Sequence, residues 1–163
     1  MATTIKNATL KVTVKEEITL NGSRQDSENI LRISDINEIF KRIVTCPANS
    51  ETTLTHFHSS SADGTLAPLD IDTVKYIRVT NLDASTSITL SLQSDVGEDD
   101  SAADESASLL IEAGRSFVMG TPDEAVLADD DSASIPAALT DLESIIVDPG
   151  SNAGTVEVFT AST

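Results

Sequence analysis

The sequence predicts an all-β protein: a single antiparallel β-sandwich or jelly roll of roughly eight to ten short strands joined by acidic loops. Three observations support this fold class. Apolar and polar residues alternate over short runs, turn-forming residues separate these runs, and neither helical periodicity nor alternation of strands with helices occurs. Because 163 residues suit one domain, we assign 1–163 to a single sandwich, with a β-barrel as the alternative.

The N-terminal part of the chain contains a clear alternating run. Over residues 8–20, Leu10, Val12 and Val14 would share one face of a half-buried strand. Residues 21–29 are rich in turn formers, so we expect them to connect this strand to the next one.

The next strands are predicted by bursts of β-branched residues. Residues 30–33 and 39–46 indicate a short strand, a bend and a longer strand. The intervening SDINEIF, residues 34–40, could instead begin a short helix. Residues 52–59 alternate again and predict another strand, and the Ser-, Gly- and Pro-containing residues 59–70 predict a loop.

Two alternating runs within residues 73–94 flank the sequence NLDAST, residues 81–86. This arrangement predicts a β-hairpin with a short loop. Asn81 and Asp83 would stabilise the turn through hydrogen bonds from their side chains to the backbone.

The C-terminal half predicts two further strand pairs. Residues 107–112 and 117–120 would pair around Gly114, which permits a backbone angle that other residues avoid. Residues 142–147 and 155–161 would form strands on either side of the DPGSNAG loop.

Charge is distributed unevenly along the chain. Residues 1–81 hold nine Lys or Arg and ten Asp or Glu, whereas 82–163 hold one base and seventeen acids, so the halves carry -1 and -16 of the net -17. We expect long acidic loops at 94–106 and 121–140, and a flexible arm at 1–7. The asymmetry predicts a polarised surface with a near-neutral docking side, although acidic loops that only keep the domain dispersed explain it equally well.

The same properties exclude several partners and locations. A net charge of -17 repels nucleic acid and anionic membranes at long range. No apolar run approaches the roughly 20 residues of a membrane helix, and the first residues lack a secretory pattern. We therefore expect a soluble protein that binds neither nucleic acid nor membranes.

Candidate ligand-binding residues are few. His56 and His58 flank Phe57, so on a strand both imidazoles would project from one face, and three subunits around a threefold axis would supply six nitrogens to a metal ion. Two histidines on a polar face or in a subunit contact are the simpler interpretation. The acidic clusters Asp95–Asp104 and Asp129–Asp131 could bind calcium, but neither matches a calcium-loop pattern.

Enzyme chemistry has no support in the sequence. Cys46 is the single cysteine, and it lies before Pro47 without a pattern that would activate a thiol. Phosphate-binding, hydrolase and metalloprotease motifs are absent. We expect neither catalytic residues nor a cofactor.

Three segments resemble a known group of proteins. KYIRVTNLDASTSITLSLQ (75–93) and LLIEAGRSFVMGTP (109–122) resemble a pattern found in small β-sandwich structural proteins of tailed bacteriophages, marine ones in particular. EIFKRIVTCPANSETTLTHF (38–57) is similar to the preceding strand pair of those proteins. The pattern encodes strands and turns and contains no catalytic residue.

The resemblance implies a non-enzymatic virion protein, made in the host cytoplasm and acting through protein–protein contacts in a homo-oligomer. Its first expected role is decoration or cementing of the head, with the major capsid protein as partner. Five basic residues would pair with acidic neighbours at the interface, namely Lys11, Lys15, Arg32, Lys41 and Arg42. The alternatives are a tail or fibre-attachment component in contact with tail proteins, or a calcium- or carbohydrate-binding jelly-roll module.

Overall fold

Strands form the regular structure of the computed structural model, which describes residues 7–58, 69–94, 105–127, 135 and 138–163. The strands in these residues are β1 (Ala8–Glu16), β2 (Thr19–Leu20), β3 (Ser23–Arg24), β4 (Ser27–Ile36), β5 (Glu38–Cys46), β6 (Thr52–His58), β7 (Leu69–Asp70), β8 (Val74–Asn81), β9 (Ile88–Ser94), β10 (Glu105–Ile111), β11 (Ser116–Met119), β12 (Leu142–Asp148) and β13 (Gly154–Ser162). The all-β prediction is confirmed. The residues outside the described ranges are 1–6, 59–68, 95–104, 128–134 and 136–137, which include most of the first predicted acidic loop and about half of the second.

The helix considered for residues 34–40 does not form. These residues end β4 and begin β5, with Asn37 between the two strands. Asp35 has a φ of 63°, a left-handed conformation that aspartate tolerates better than most residues. The bend therefore comes from the backbone conformation of one residue, Asp35. The backbone N–H of Asn37 donates to Ser162 O at 3.0 Å, which fixes the bend against the sandwich.

Two sheets form the sandwich. One, the antiparallel sheet, has the strand order β11-β8-β13-β5. The other, the mixed sheet, has the order β10-β9-β12-β6-β7, and β7 runs parallel to β6. Their facing sides form one apolar core, whose fully buried members include Ile77, Val79, Val156 and Val158 from the antiparallel sheet and Leu54, Ile88, Leu90, Ile145 and Val147 from the mixed sheet.

The two hairpins predicted at 73–94 and around Gly114 are wrong in their pairing. β8 pairs with β11 and β13, whereas β9 pairs with β10 and β12, so the NLDAST connection crosses from one sheet to the other. The β10–β11 connection crosses in the same way, and so does β12–β13, whose predicted strand positions are confirmed. Strand alternation specifies which face is buried, and both sheets of a sandwich bury a face, so alternation could not specify the partner.

Asn81 holds the crossing between β8 and β9. Its fully buried side chain donates from Nδ2 to Thr86 O at 2.7 Å and to Ile111 O at 3.2 Å, and its Oδ1 accepts from Asp83 N at 3.0 Å. Asp83 Oδ1 accepts from the backbone N–H of Ser85 and of Thr86, both at 2.9 Å, and these bonds lower the pKa of the Asp83 carboxyl. The predicted roles of Asn81 and Asp83 in the turn are confirmed.

A two-stranded β-ribbon extends from the sandwich. β1 and β4 pair from Ala8 with Ile36 to Glu16 with Ser27, and β2 and β3 extend the ribbon to a turn at Asn21–Gly22. Both turn residues have positive φ, 51° and 80°, as a two-residue hairpin turn requires. The ribbon includes most of the segment that we predicted to be a connection.

The ribbon is attached to the sandwich only near its base, within the described residues. Leu10, Val12 and Ile33 pack with Ile36 against Tyr76, Phe159 and Ala161, which lie on the outer face of the antiparallel sheet. The Tyr76 and Phe159 rings meet edge to face with centroids 6.0 Å apart. Beyond this contact Val14 is 52% exposed, so the prediction that β1 is half-buried holds only for its beginning.

Candidate assembly interface

The outer face of the antiparallel sheet presents a regular grid of side chains. Register places Ala161 beside Ile39, Phe159 beside Lys41, and Glu157 beside Ile43. The base of the ribbon covers Ala161, but Ile39 and Ile43 remain 58% and 63% exposed. Large β-branched residues at exposed positions of an edge strand are a feature that soluble monomers usually avoid, so this part of the face is a candidate contact surface.

An ion cluster crosses the centre of this face. Arg78 Nη2 lies 2.5 Å from Glu157 Oε1, and Lys41 Nζ lies 3.0 Å from Glu157 Oε2. Hydrogen bonds from Lys41 and Arg78 lower the pKa of the Glu157 carboxyl. Thr80 and Ser116 extend the cluster, with their hydroxyl oxygens 2.8 Å apart. Because these residues come from all four strands of the antiparallel sheet, the cluster links the side chains of its outer face across the strands.

The outer face of the mixed sheet has a different character. Its exposed strand positions include Thr53, His56, Thr89, Ser106 and Ser108. Leu110, 64% exposed, is the large apolar residue exposed on the described strands of this sheet. Hydroxyl-rich strand faces are well hydrated, so we regard this face as the solvent side.

Basic residues are also distributed unevenly between the two sheets. The described Lys and Arg residues are Lys11, Lys15, Arg24 and Arg32 on the ribbon, Lys41 and Arg42 on β5, Lys75 and Arg78 on β8, and Arg115 before β11. The strands of the mixed sheet contain acids and no Lys or Arg. The division by sheet explains the uneven charge better than the division into chain halves, because β6 belongs to the first half and carries no base.

The five predicted interface residues are all exposed, and four of them lie on the ribbon or on the outer face of the antiparallel sheet; the exception is Arg42, whose register partner is the core residue Val158. Two of them are already paired within the chain: Lys15 Nζ lies 2.7 Å from Glu17 Oε1, and Lys41 binds Glu157. Lys11 and Arg32 face each other directly across the ribbon, and neither makes an ion pair within the described residues. Like charges opposite each other destabilise a strand pair, so these two residues would gain from an acidic neighbour.

The two histidines lie on β6. His56 is exposed and its register partner is Ser144, while His58 is partly buried beside Asp70 of β7. Nδ1 of His58 is buried without a hydrogen-bond partner among the described residues. In the same part of the chain, no group of three or more His, Cys, Asp or Glu could hold a metal ion. A metal site shared between subunits stays a prediction, and the two proposed calcium clusters lie outside the described residues.

Cys46 ends β5 with its side chain completely buried in the core. Burial raises the pKa of the Cys46 thiol, which disfavours the reactive thiolate. Across the described ranges, the chain contains no helix long and apolar enough to cross a membrane.

The sequence indicated the basic residues of this surface but not its exposed apolar residues. Ile39 and Ile43 belong to a β-branched burst, which predicted a strand without indicating that one face is uncovered. The pairing of Glu157 with Arg78 joins residues far apart in the chain, and the signal that could have suggested it is an acid within the otherwise apolar run TVEVF.

Comparison with known proteins gives little further information. No protein-family model matches the chain, and no curated protein matches it. Among solved structures, a chain of the Bacillus endospore appendages, described as "a novel family of disulfide-linked pili", is similar with a TM-score of 0.37 and 11% sequence identity. The alignment covers 77% of this chain and 88% of that chain. A likeness at this level supports no functional inference.

Proposed function

We propose that the protein is a non-enzymatic structural subunit of a tailed-phage virion, and that it decorates or cements the head. The observation that carries the proposal is the two-sided surface. One side combines the ribbon and the exposed residues Ile39 and Ile43 with most of the described basic residues, whereas the opposite sheet has a polar outer face and lacks bases. A subunit that attaches to a shell needs one adhesive side and one solvent side.

The resemblance of residues 38–57, 75–93 and 109–122 to phage sandwich proteins supports the choice of a virion over other assemblies. The proposed partner is the major capsid protein, which would contact the ribbon face that carries Lys11, Arg32 and exposed Ile30, with acids placed opposite the two basic residues. The mixed sheet and its acidic connections would then face solvent, where like-charge repulsion disfavours contacts between particles.

Fractionation of particles tests the location. Intact particles would be separated by density, treated with a mild chaotrope and divided into heads, detached tails and released protein, in which the chain is quantified by mass spectrometry. Recovery with heads at hundreds of copies per particle is the expected result. A few copies with tails would replace the proposal by a tail or fibre-attachment role, and absence from particles would refute it.

Add-back to stripped heads tests the docking side. The variant Arg32→Glu should lose binding to heads from which the protein has been removed. Arg115→Glu is the matched control, because it makes the same kind of charge change at an exposed position away from the ribbon. Equal binding of the two proteins would show that the ribbon side does not dock.

A further inference from the structure

Most of the exposed large apolar residues in the described strands lie on two surfaces. The ribbon carries Val14, Leu20, Ile30 and Leu31, and the antiparallel sheet carries Ile39, Ile43 and Val118. Since both surfaces belong to the same chain, each could cover the other in an assembly of identical subunits.

The ribbon base provides a structural precedent for such a contact. Cross-strand partners share a face of a ribbon, so Leu10 with Ile33, Val12 with Leu31, and Val14 form one apolar strip. The beginning of this strip packs on the outer face of the chain's own antiparallel sheet at Tyr76, Phe159 and Ala161. Further along, Val14 and Leu31 are 52% and 50% exposed, so within the described residues the same strip continues without a cover.

We infer that the exposed strip of the ribbon docks on the outer face of the antiparallel sheet of a second copy of this chain. Val14 and Leu31 of one copy would lie against Ile39 and Ile43 of the other. This contact would resemble the one that the ribbon base makes with the antiparallel sheet of its own chain. Ribbon and sheet face are different surfaces, so the contact is heterologous and either closes a ring or continues as a row of subunits.

The size of the contact sets its expected strength. Beyond its base, the ribbon from Thr13 to the turn at Asn21–Gly22 is about 26 Å long and roughly 10 Å wide, so one face offers ~260 Å². Counting both partners, docking removes on the order of 500 Å² from water, well below the ~1,200 Å² of stable complexes. We therefore expect weak self-association that becomes effective when many subunits are held together.

Sedimentation of the full chain over a concentration series tests the inference. Two defective proteins are needed: Val14→Thr with Leu31→Thr removes the ribbon strip, and Ile39→Thr with Ile43→Thr removes the acceptor face. Threonine keeps the β-branched shape suited to strands, and all four positions are exposed, so both proteins should fold. Each should self-associate at least tenfold more weakly than the parent. Leu110→Thr, at an equally exposed position of the mixed sheet, should associate like the parent.

Mixing the two defective proteins provides the decisive result. One retains an acceptor face and the other retains a ribbon strip, so the mixture should form a complex that stops at two copies. A parent chain that stays monomeric up to millimolar concentration, or association lost only in the Ile39 and Ile43 variant, would overturn the inference. The second outcome would indicate contact between two sheet faces instead.

A cross-linking experiment places the partners directly. Leu31→Cys and Ile43→Cys proteins, purified separately and mixed under mild oxidation, should give mainly the mixed disulfide, because native Cys46 is fully buried. Predominant Ile43→Cys homodimers would contradict the inference. The inference rests on the proposed role as an assembling subunit, but the inference and that role can fail separately. Self-association through the ribbon does not require a virion. Head binding without self-association would instead mean that the capsid covers the strip.

Discussion

Replacing Asn81 with alanine should destabilise the protein by about 2–4 kcal/mol. The side chain is completely buried and makes hydrogen bonds of 2.7, 3.2 and 3.0 Å to Thr86 O, Ile111 O and Asp83 N. Each bond contributes roughly 0.5–1.5 kcal/mol net, and removing the amide also leaves buried carbonyl oxygens without a donor. The bonds join connections between the sheets, so the loss affects the whole sandwich.

Thermal unfolding followed by circular dichroism measures this effect. For a domain of this size, 1 kcal/mol shifts the melting temperature by about 2–4 °C, so we expect a decrease of roughly 4–15 °C. Ser87→Ala is the matched control, because Ser87 is exposed in the same connection and should change stability by less than about 0.5 kcal/mol. If the Asn81→Ala and Ser87→Ala proteins have the same melting temperature, the Asn81 amide does not stabilise the crossing.

Three further predictions concern charge and backbone conformation. Glu157→Gln should lower stability at pH 7, and the deficit should shrink as the pH falls below about 4.3, because the lowered pKa of Glu157 stabilises only the ionised carboxyl. Asp123→Asn should raise the melting temperature at pH 7, because desolvation and neighbouring Asp141 raise the pKa of Asp123; the gain should fade as the pH falls through this raised pKa and be absent below about pH 3.9. Gly114→Ala should cost about 1 kcal/mol, because Gly114 has a φ of 70° and an added Cβ would meet no atom within 4 Å, leaving backbone strain as the cause.

Thermal unfolding checks these three predictions. Glu112→Gln changes the net charge as Asp123→Asn does, at an exposed position away from Asp141, and it should leave the melting temperature unchanged. Gly120→Ala, where φ is not positive and no atom is near, should be tolerated. A Glu157→Gln deficit that does not shrink between pH 5 and pH 3, an Asp123→Asn protein no more stable than Glu112→Gln, or equal costs at the two glycines would contradict the respective explanation.

The sequence allowed the fold class and the positions of most strands to be predicted, because these depend on local patterns. Ile88, Leu90 and Leu92 alternate with polar residues and do face the core. The partners of β8 and β9 could not be predicted, because a short polar connection can close a hairpin or cross between sheets. The crossing depends on Asn81 reaching Ile111 O, a contact between residues 30 positions apart that no local pattern contains.

The candidate interface was predictable only in its charges. Lys11, Arg32 and Lys41 could be nominated because bases are rare in this chain. The apolar strip was interpreted differently: alternation at Leu10, Val12 and Val14 indicated an apolar face, and we assumed that the same molecule would bury it. Periodicity reports that a face is apolar and does not say which molecule covers it.

The net charge of -17 acts against the contact that the apolar strip favours. Repulsion between like-charged subunits extends over about a Debye length, ~8 Å at physiological salt, whereas apolar contact acts only at the surface. A ribbon contact of on the order of 500 Å² gives only weak association in free solution, because dilution and repulsion oppose it. On a scaffold that fixes neighbouring subunits, the local concentration rises and the same contact becomes sufficient. The combination of an acidic body with a small adhesive ribbon therefore favours association after attachment, which is the order of events that a decorating subunit requires.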